Sequence, residues 1–330
     1  MKFLVLAVLL ALAIIDAQAK SVTFGHGDWT MGCDNTGRCE AVGHQAEDDA
    51  EPIAMSLARD AGPGTPVRAR LIIPAQEGKP PAQVTLRLGR HSLAAVAVER
   101  DLPPAQVGAL LPWLLREGAV LAIDGKRSWR LSLAGVHAVL LKMDEVQGRI
   151  DTPGALVRKG NKPESGVPRA RPAPQLAGLP VPATKPADHA LLPQIVKTLP
   201  DADCEPERES TVARLSASKL LVMRMCTLAA YQADWDLWIV NDRAPYAPVP
   251  VDLPMPDGEG GVDLTAPFFD KGVLSNYAKA RGLGDCGEFA EWLWTAQGFQ
   301  LLSWRQASMC RGIPGGQSVP LWTANAHGSR

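Results

Sequence analysis

The sequence predicts a mainly β protein with a few short helices: two antiparallel-sheet domains, sandwich or meander, joined by a proline-rich linker. Three observations carry that expectation. Short runs of β-branched and aromatic residues recur, each bounded by Gly, Pro, Asn or Asp. Residues 159–190, GNKPESGVPRARPAPQLAGLPVPATKPADHA with Lys159 before it, are rich in Pro, Gly and Ala and poor in large apolar side chains, so they cannot bury a core. Finally, residues 282–312 hold two cysteines and three tryptophans around a tight-turn signal, which reads as a hairpin closed at its base by a disulfide.

The chain opens on a three-part export signal. Lys2 is the charged region, residues 3–15 are the apolar region, and Ala17-Gln18-Ala19 is the small-residue cleavage site. Residues 1–19 are therefore expected to be a signal peptide, and the mature chain to start at Lys20. The apolar run is too short to span a bilayer, and no cysteine stands at the cleavage point to take a lipid. The expectation is a soluble periplasmic protein with no membrane anchor. The 34 basic and 35 acidic side chains give a net charge of -1. A near-neutral chain has no general attraction for nucleic acid, which is not expected as a partner.

The first domain is expected over residues 20–158. Trp29-Thr30-Met31 and residues 38–42 read as strands around the turn Asp34-Asn35-Thr36-Gly37. Residues 52–57, 67–73 and 84–88 are further strands. Residues 102–117 read as helical in part, opened by Pro103-Pro104 and kinked or restarted at Pro112. Residues 119–123 and 128–133 flank Asp124-Gly125, a strong hairpin signal. Val136, Val139, Leu140 and Met143 share one face of a helix, with His137 off it.

The second domain is expected over residues 191–330. Residues 220–228 and 230–240 are strand runs, and Trp235, Leu237 and Ile239 alternate in the second. Residues 257–264 form a glycine-rich turn, and 273–280 are a strand or a short helix. In the hairpin, a three-residue loop Ala296-Gln297-Gly298 gives Gly298 the left-handed position. That register puts Phe289, Leu293, Phe299 and Leu301 on one face, and Trp292, Trp294, Leu302 and Trp304 on the other. Both faces are apolar, so the tryptophan face is either covered by another layer or an exposed contact surface. Covered core is the favoured reading.

Six cysteines in an exported chain imply disulfides. Cys33 and Cys39 are alone in the first domain and flank a turn. Cys204 and Cys226 bracket one strand region, and Cys286 and Cys310 bracket the hairpin symmetrically. The expected pairs are Cys33–Cys39, Cys204–Cys226 and Cys286–Cys310, since a hairpin brings its ends within disulfide reach. A zinc site built from Cys33, Cys39, His26 and His44 is the disfavoured alternative.

The quoted segments resemble one family. Trp29, Cys33, Asp34 and Asn35 near the start, Gln147-Gly148-Arg149 followed by residues 152–157, and GLGDCG at 282–287 with Cys310-Arg311-Gly312 look like the bacterial DUF1176 family. The resemblance implies an exported protein and supplies no catalytic residues. Trp29 and Cys33 also give the first domain a weaker similarity to invasion-associated locus B proteins.

Three segments offer candidate chemistry. Asp285-Cys286-Gly287 is similar to the Asp-Cys-Ser-Gly nucleophile motif of NlpC/P60 cell-wall hydrolases, which makes an envelope hydrolase with a Cys286 nucleophile the alternative reading. Its serine is missing, His327 is the only later histidine, and a disulfide-bonded sulfur attacks nothing. Glu288 and Glu291 near Asp285 fall on opposite faces of a strand, a poor glycosidase pair. Asp257, Glu259 and Asp263 do not match a calcium loop. There is no phosphate loop, Gly-x-Ser-x-Gly or His-Glu-x-x-His, so no cofactor is expected. What remains is a non-enzymatic binding protein whose partner is an envelope protein or a cell-wall glycan. Exported lysozyme inhibitors offer a loose analogy through the Trp294–Leu301 segment.

Overall fold

In the computed structural model the described residues are 21–75, 78–116, 118–200, 204, 209–256 and 262–328. The expected signal peptide, Lys20, Asp257 and Glu259 lie outside them.

Residues 22–72 fold as one antiparallel meander: β1 (Val22–His26), β2 (Trp29–Cys33), β3 (Cys39–His44), β4 (Ala54–Arg59) and β5 (Val67–Ile72), in that spatial order. β1 is absent from the sequence reading because a half-exposed edge strand carries little apolar signal. A second sheet is built from β6 (Gln83–Leu88), β7 (His91–Ala97), β8 (Ala119–Asp124) and β9 (Arg127–Ser132), in the order β7-β6-β8-β9. The Asp124-Gly125 hairpin forms, with Asp124 opposite Arg127 and Gly125 at φ 59°.

Helix α1 (Pro104–Leu114) opens on its proline but is not interrupted by Pro112. Gly108, whose carbonyl loses its helical donor there, is exposed and open to water. Helix α2 (Val136–Val146) buries Val136, Val139, Leu140 and Met143, the face that the spacing predicts, and leaves His137 exposed. The first core joins alternate residues of both sheets, such as Trp29, Met31, Met55, Leu57, Leu86 and Trp129, with the apolar faces of the two helices.

Residues 159–190, read as a linker, are extended in part but fastened along their length. Lys162 N donates to Asp151 O at 2.8 Å, and Arg171 N to Thr36 O at 3.0 Å. Val167 is only 3 % exposed. β10 (Gln175–Ala177) pairs in parallel with the late strand Asn325–His327. Helix α3 (Pro186–Val196) begins within the same stretch. Composition counts apolar side chains and does not register these backbone hydrogen bonds, which is why the docking is invisible in the sequence.

Further along, β11 (Ser210–Arg214), β12 (Lys219–Leu228), β13 (Ala233–Asn241) and β14 (Val249–Pro250) form a four-stranded antiparallel sheet. β15 (Phe268–Asp270), β16 (Val273–Lys279), β17 (Gly287–Thr295), β18 (Gly298–Ala307) and β19 (Val319–Thr323) form a five-stranded one, and β20 (Asn325–His327) is the partner of β10. Leu221, Met223 and Leu237 face Leu274, Ala290, Trp292 and Leu301 between the two sheets. On the opposite face of β12 and β13, Leu220, Val222, Trp238 and Val240 pack on Ile195 of α3. The layers are thus helix, sheet, sheet.

A small fourth core ties the early and late parts of the chain together. Val42, Ala54 and Ile72 on the outer face of the first sheet meet Ile313 and Val319. Gly32 marks how closely β19 approaches, since a Cβ there would lie 2.6 Å from Val319 Cγ2.

Candidate binding site

The hairpin positions the aromatic residues. Gly298 takes the left-handed φ of 93°, but it already pairs with Thr295, so the loop is the two residues Ala296 and Gln297 and not the three expected. Trp294 is paired with Phe299, Trp292 with Leu301 and Ala290 with Trp304. The register shifts at Glu291/Trp292, where Leu302 is bulged out. Two consequences follow. The three tryptophans do share a face, because the bulge restores the register before Trp304. Phe299 and Leu301 join them because the loop is one residue shorter than expected, whereas Phe289 and Leu293 point the other way, which corrects the face assignment made from a three-residue loop.

That face is covered. Trp292 is fully buried, and its Nε1 donates to Pro254 O at 3.1 Å. Val251, Leu253, Met255, Val262 and Leu264 pack on the same cluster from the loop that follows β14. Trp294 is half-buried with its ring 5.1 Å from that of Phe299. An open surface made of Trp292, Trp294 and Trp304 therefore does not form. The sequence reading took residues 257–264 as a glycine-rich turn and missed this cover, for which the alternating Val251, Leu253 and Met255 were the available signal.

Past Trp304 the same face turns polar and opens. Ala278, Glu288 and Gln306 follow in register across β16, β17 and β18. They border a cleft of about 550 Å³ whose lining includes Gln232, Asp263, Lys279 and the Trp304 side chain. Gln306 Nε2 donates to Glu288 Oε1 at 2.9 Å. Trp304 Nε1 is buried with no hydrogen-bond partner among the described residues. Glu291 is on the opposite face, accepting from Ser303 Oγ at 2.8 Å, so it does not join Glu288.

The cysteines are bonded as Cys33–Cys39, Cys204–Cys226 and Cys286–Cys310, with no free thiol among the described residues. Cys286 is fully buried as well as bonded, so it presents no thiolate. His327 lies in β20 against Ala177. Sulfur and carboxylate oxygens gather at Cys204, Cys226 and Asp236, and again at Asp285, Cys286 and Cys310. The sulfurs in both groups are spent on each other, and Cys33 and Cys39 likewise leave His26 and His44 without thiolate partners.

The motif residues turn out to be fasteners. Asp285 accepts from Arg281 Nε at 2.7 Å and from Gly312 N at 2.6 Å, and Arg281 also donates to Cys310 O. This clasp spans the disulfide, and the Arg281 hydrogen bond holds the Asp285 carboxyl below the usual carboxylate range. Asn35 exchanges two hydrogen bonds with the Thr323 backbone, at 3.0 and 2.8 Å, while Asp34 accepts from Thr323 Oγ1. Trp29 Nε1 donates to Ser132 O at 2.8 Å, bridging the first sheet to β9. Gln147 and Arg149 sit in a buried polar network with Arg59 and Asp144. Arg149 donates to Gly62 O and Thr65 Oγ1 there.

The sequence profile described as "Protein of unknown function (DUF1176)" matches residues 23–325. The protein printed as "Uncharacterized protein YpfG" from Escherichia coli (strain K12) is 29% identical over 343 residues, covering 89% of this chain and 91% of that one. No solved structure matches. With the profile running from β1 to β20, the chain belongs to the DUF1176 family.

Proposed function

We propose that the protein is exported to the periplasm and acts there as a non-enzymatic binding protein, with a cell-wall glycan held in the cleft beside Trp304. The observation that carries this is the lining of the cleft. A half-buried indole stands beside the Glu288–Gln306 pair in a concavity of about 550 Å³. Sugars stack their apolar faces on such rings and bond their hydroxyls to carboxylates and amides.

Titration of soluble cell-wall glycan fragments into the mature protein, followed by calorimetry, tests this reading. Binding is expected, and Glu288→Gln should weaken it by about tenfold, the worth of one charge-assisted hydrogen bond. Trp304→Phe keeps most of the packing and should weaken binding as well. Silence with every fragment would remove the glycan, and full affinity in both variants would move the site elsewhere. Pull-down from envelope extract separates a protein partner from a glycan.

Export rests on the signal-like N-terminus and on three disulfides, which persist in oxidising compartments. The mature protein should have the mass of a chain that starts at Lys20. Soluble material that keeps Met1 would contradict the export step.

A further inference from the structure

The outer face of the first sheet carries a second concavity, on the other side of β18 from the cleft. Trp304 points inward and Arg305 outward, so the two spaces share a strand but no side chain. The floor of this recess is Ser56 and Ala58 on β4, two small side chains between longer neighbours. Glu40 lies across from Ala58, Arg68 pairs with Ala58 from β5, and Arg70 pairs with Ser56. Small residues in the middle and long ones at the sides make a trough of about 310 Å³. Arg38 closes one end, and Arg305 with Ser318 reach over from the five-stranded sheet.

Charge is not balanced along this lining. Four guanidinium groups, Arg38, Arg68, Arg70 and Arg305, face two carboxylates, Glu40 and Asp101. Arg68 is engaged by Asp60, at 2.8 and 3.1 Å, and Arg70 by Asp101, at 3.0 and 2.7 Å. Glu40 is shared: it accepts from Ser56 Oγ at 2.5 Å and from Arg305 at 3.2 Å, and lies 3.6 Å from Arg38. Arg38 is the most loosely held, in ion pairs with Glu40 and Asp60 and without a side-chain hydrogen bond among the described residues. Its contacts with Glu40 and Asp60 are 3.6 and 3.7 Å, too long for hydrogen bonds. Its Nε is buried and has no hydrogen-bond partner among the described residues. Ser318 Oγ accepts from Arg305 Nε at 2.9 Å, which leaves its own proton to give.

We propose that this recess binds a tetrahedral oxyanion of the phosphate class, with Arg38, Arg305 and the Ser318 hydroxyl as its donors. A planar carboxylate is met by one fork of two parallel N–H groups. Here the donors come from β18, from the segment before β19 and from the turn between β2 and β3, directions that suit a tetrahedral group. The recess also exceeds the volume of a lone carboxylate.

Calorimetry of the mature protein with inorganic phosphate, glycerol 3-phosphate and acetate, at matched ionic strength, tests the assignment. Saturable binding of phosphate or its ester is expected, with little response to acetate. A tighter ester would place the phosphate on a larger molecule, and equal affinities would make the free ion the ligand. Arg38→Gln removes no side-chain hydrogen bond among the described residues, only the two longer ion pairs to Glu40 and Asp60, and should weaken phosphate binding by about tenfold. Arg305→Gln serves as the second variant. The proposal falls if phosphate gives no more heat than acetate, or if neither variant changes its affinity.

Discussion

Replacing Arg59 by methionine should cost about 3–5 kcal/mol of stability, because it strands a buried charge without its partner. Arg59 and Asp144 are 1 % and 0 % exposed, and Arg59 Nη2 donates to Asp144 Oδ1 at 2.7 Å. The guanidinium also serves Gln147 Oε1 at 2.7 Å and Gly154 O at 3.1 Å. Three acceptors therefore lose a donor at once. Asp144 would keep only the Leu156 and Val157 backbone donors, at 2.7 and 3.0 Å, which fix the chain after α2. The double variant Arg59→Met, Asp144→Leu removes the stranded charge and should be more stable than Arg59→Met alone, a coupling that a double-mutant cycle reads directly. Denaturant midpoints by circular dichroism give both values. A loss below about 1 kcal/mol for the single variant would mean that water or another cation reaches Asp144, and that the network is not closed.

The residues of that network show what the sequence could and could not convey. Gln147 and Arg149 stand out as a motif, but nothing in their spacing says that they turn inward, because their partners Arg59, Gly62 and Thr65 lie far back in the chain. Strands were legible from Trp29 to Leu71 and again across β12 and β13 as short β-rich runs bounded by turn residues, although most of them are buried on both faces. The disulfide between Cys286 and Cys310 was legible because a hairpin is local. The register of the hairpin tip was not: closing the loop on two residues rather than three leaves the composition unchanged while moving Phe299 and Leu301 to the tryptophan face, and the bulge at Leu302 that returns Trp304 to that face is equally silent. α3 escaped because Pro186 and Pro193 make its segment look like a linker, although Pro186 is in the first turn, where proline is tolerated. Neither concavity could be read at all. The cleft joins Gln232 to Gln306, and the recess joins Arg38 to Ser318, so each exists only once the sheets have stacked.

Stability should fall as the pH drops from about 6.5 to about 4, and one side chain should account for the fall. His44 is 1 % exposed on the outer face of β3, beside the small core that joins Val42 and Ala54 to Ile313 and Val319. Neither ring nitrogen has a hydrogen-bond partner among the described residues. Burial, and secondarily the Arg311 guanidinium, lower its pKa from 6.5 to about 4, with Asp285 opposing. Arg311 is itself fixed there by Asp28 at 3.0 Å and by Glu47 at 3.5 Å. The folded state thus holds His44 neutral, while the unfolded chain takes up a proton below pH 6.5. The contribution is fully present above 6.5 and is lost as the pH falls through the folded value, amounting to about 2 kcal/mol between pH 7 and pH 5 and about 3 kcal/mol in full. The lowered Asp285 carboxyl acts only below its ordinary value of 3.8, so it does not enter this window. His44→Phe keeps a buried ring, removes two unpartnered polar atoms and does not titrate, so it should be at least as stable at pH 7 and flatter towards pH 5. Unfolding midpoints of both proteins across that range decide the matter: parallel curves would assign the acid sensitivity to other groups.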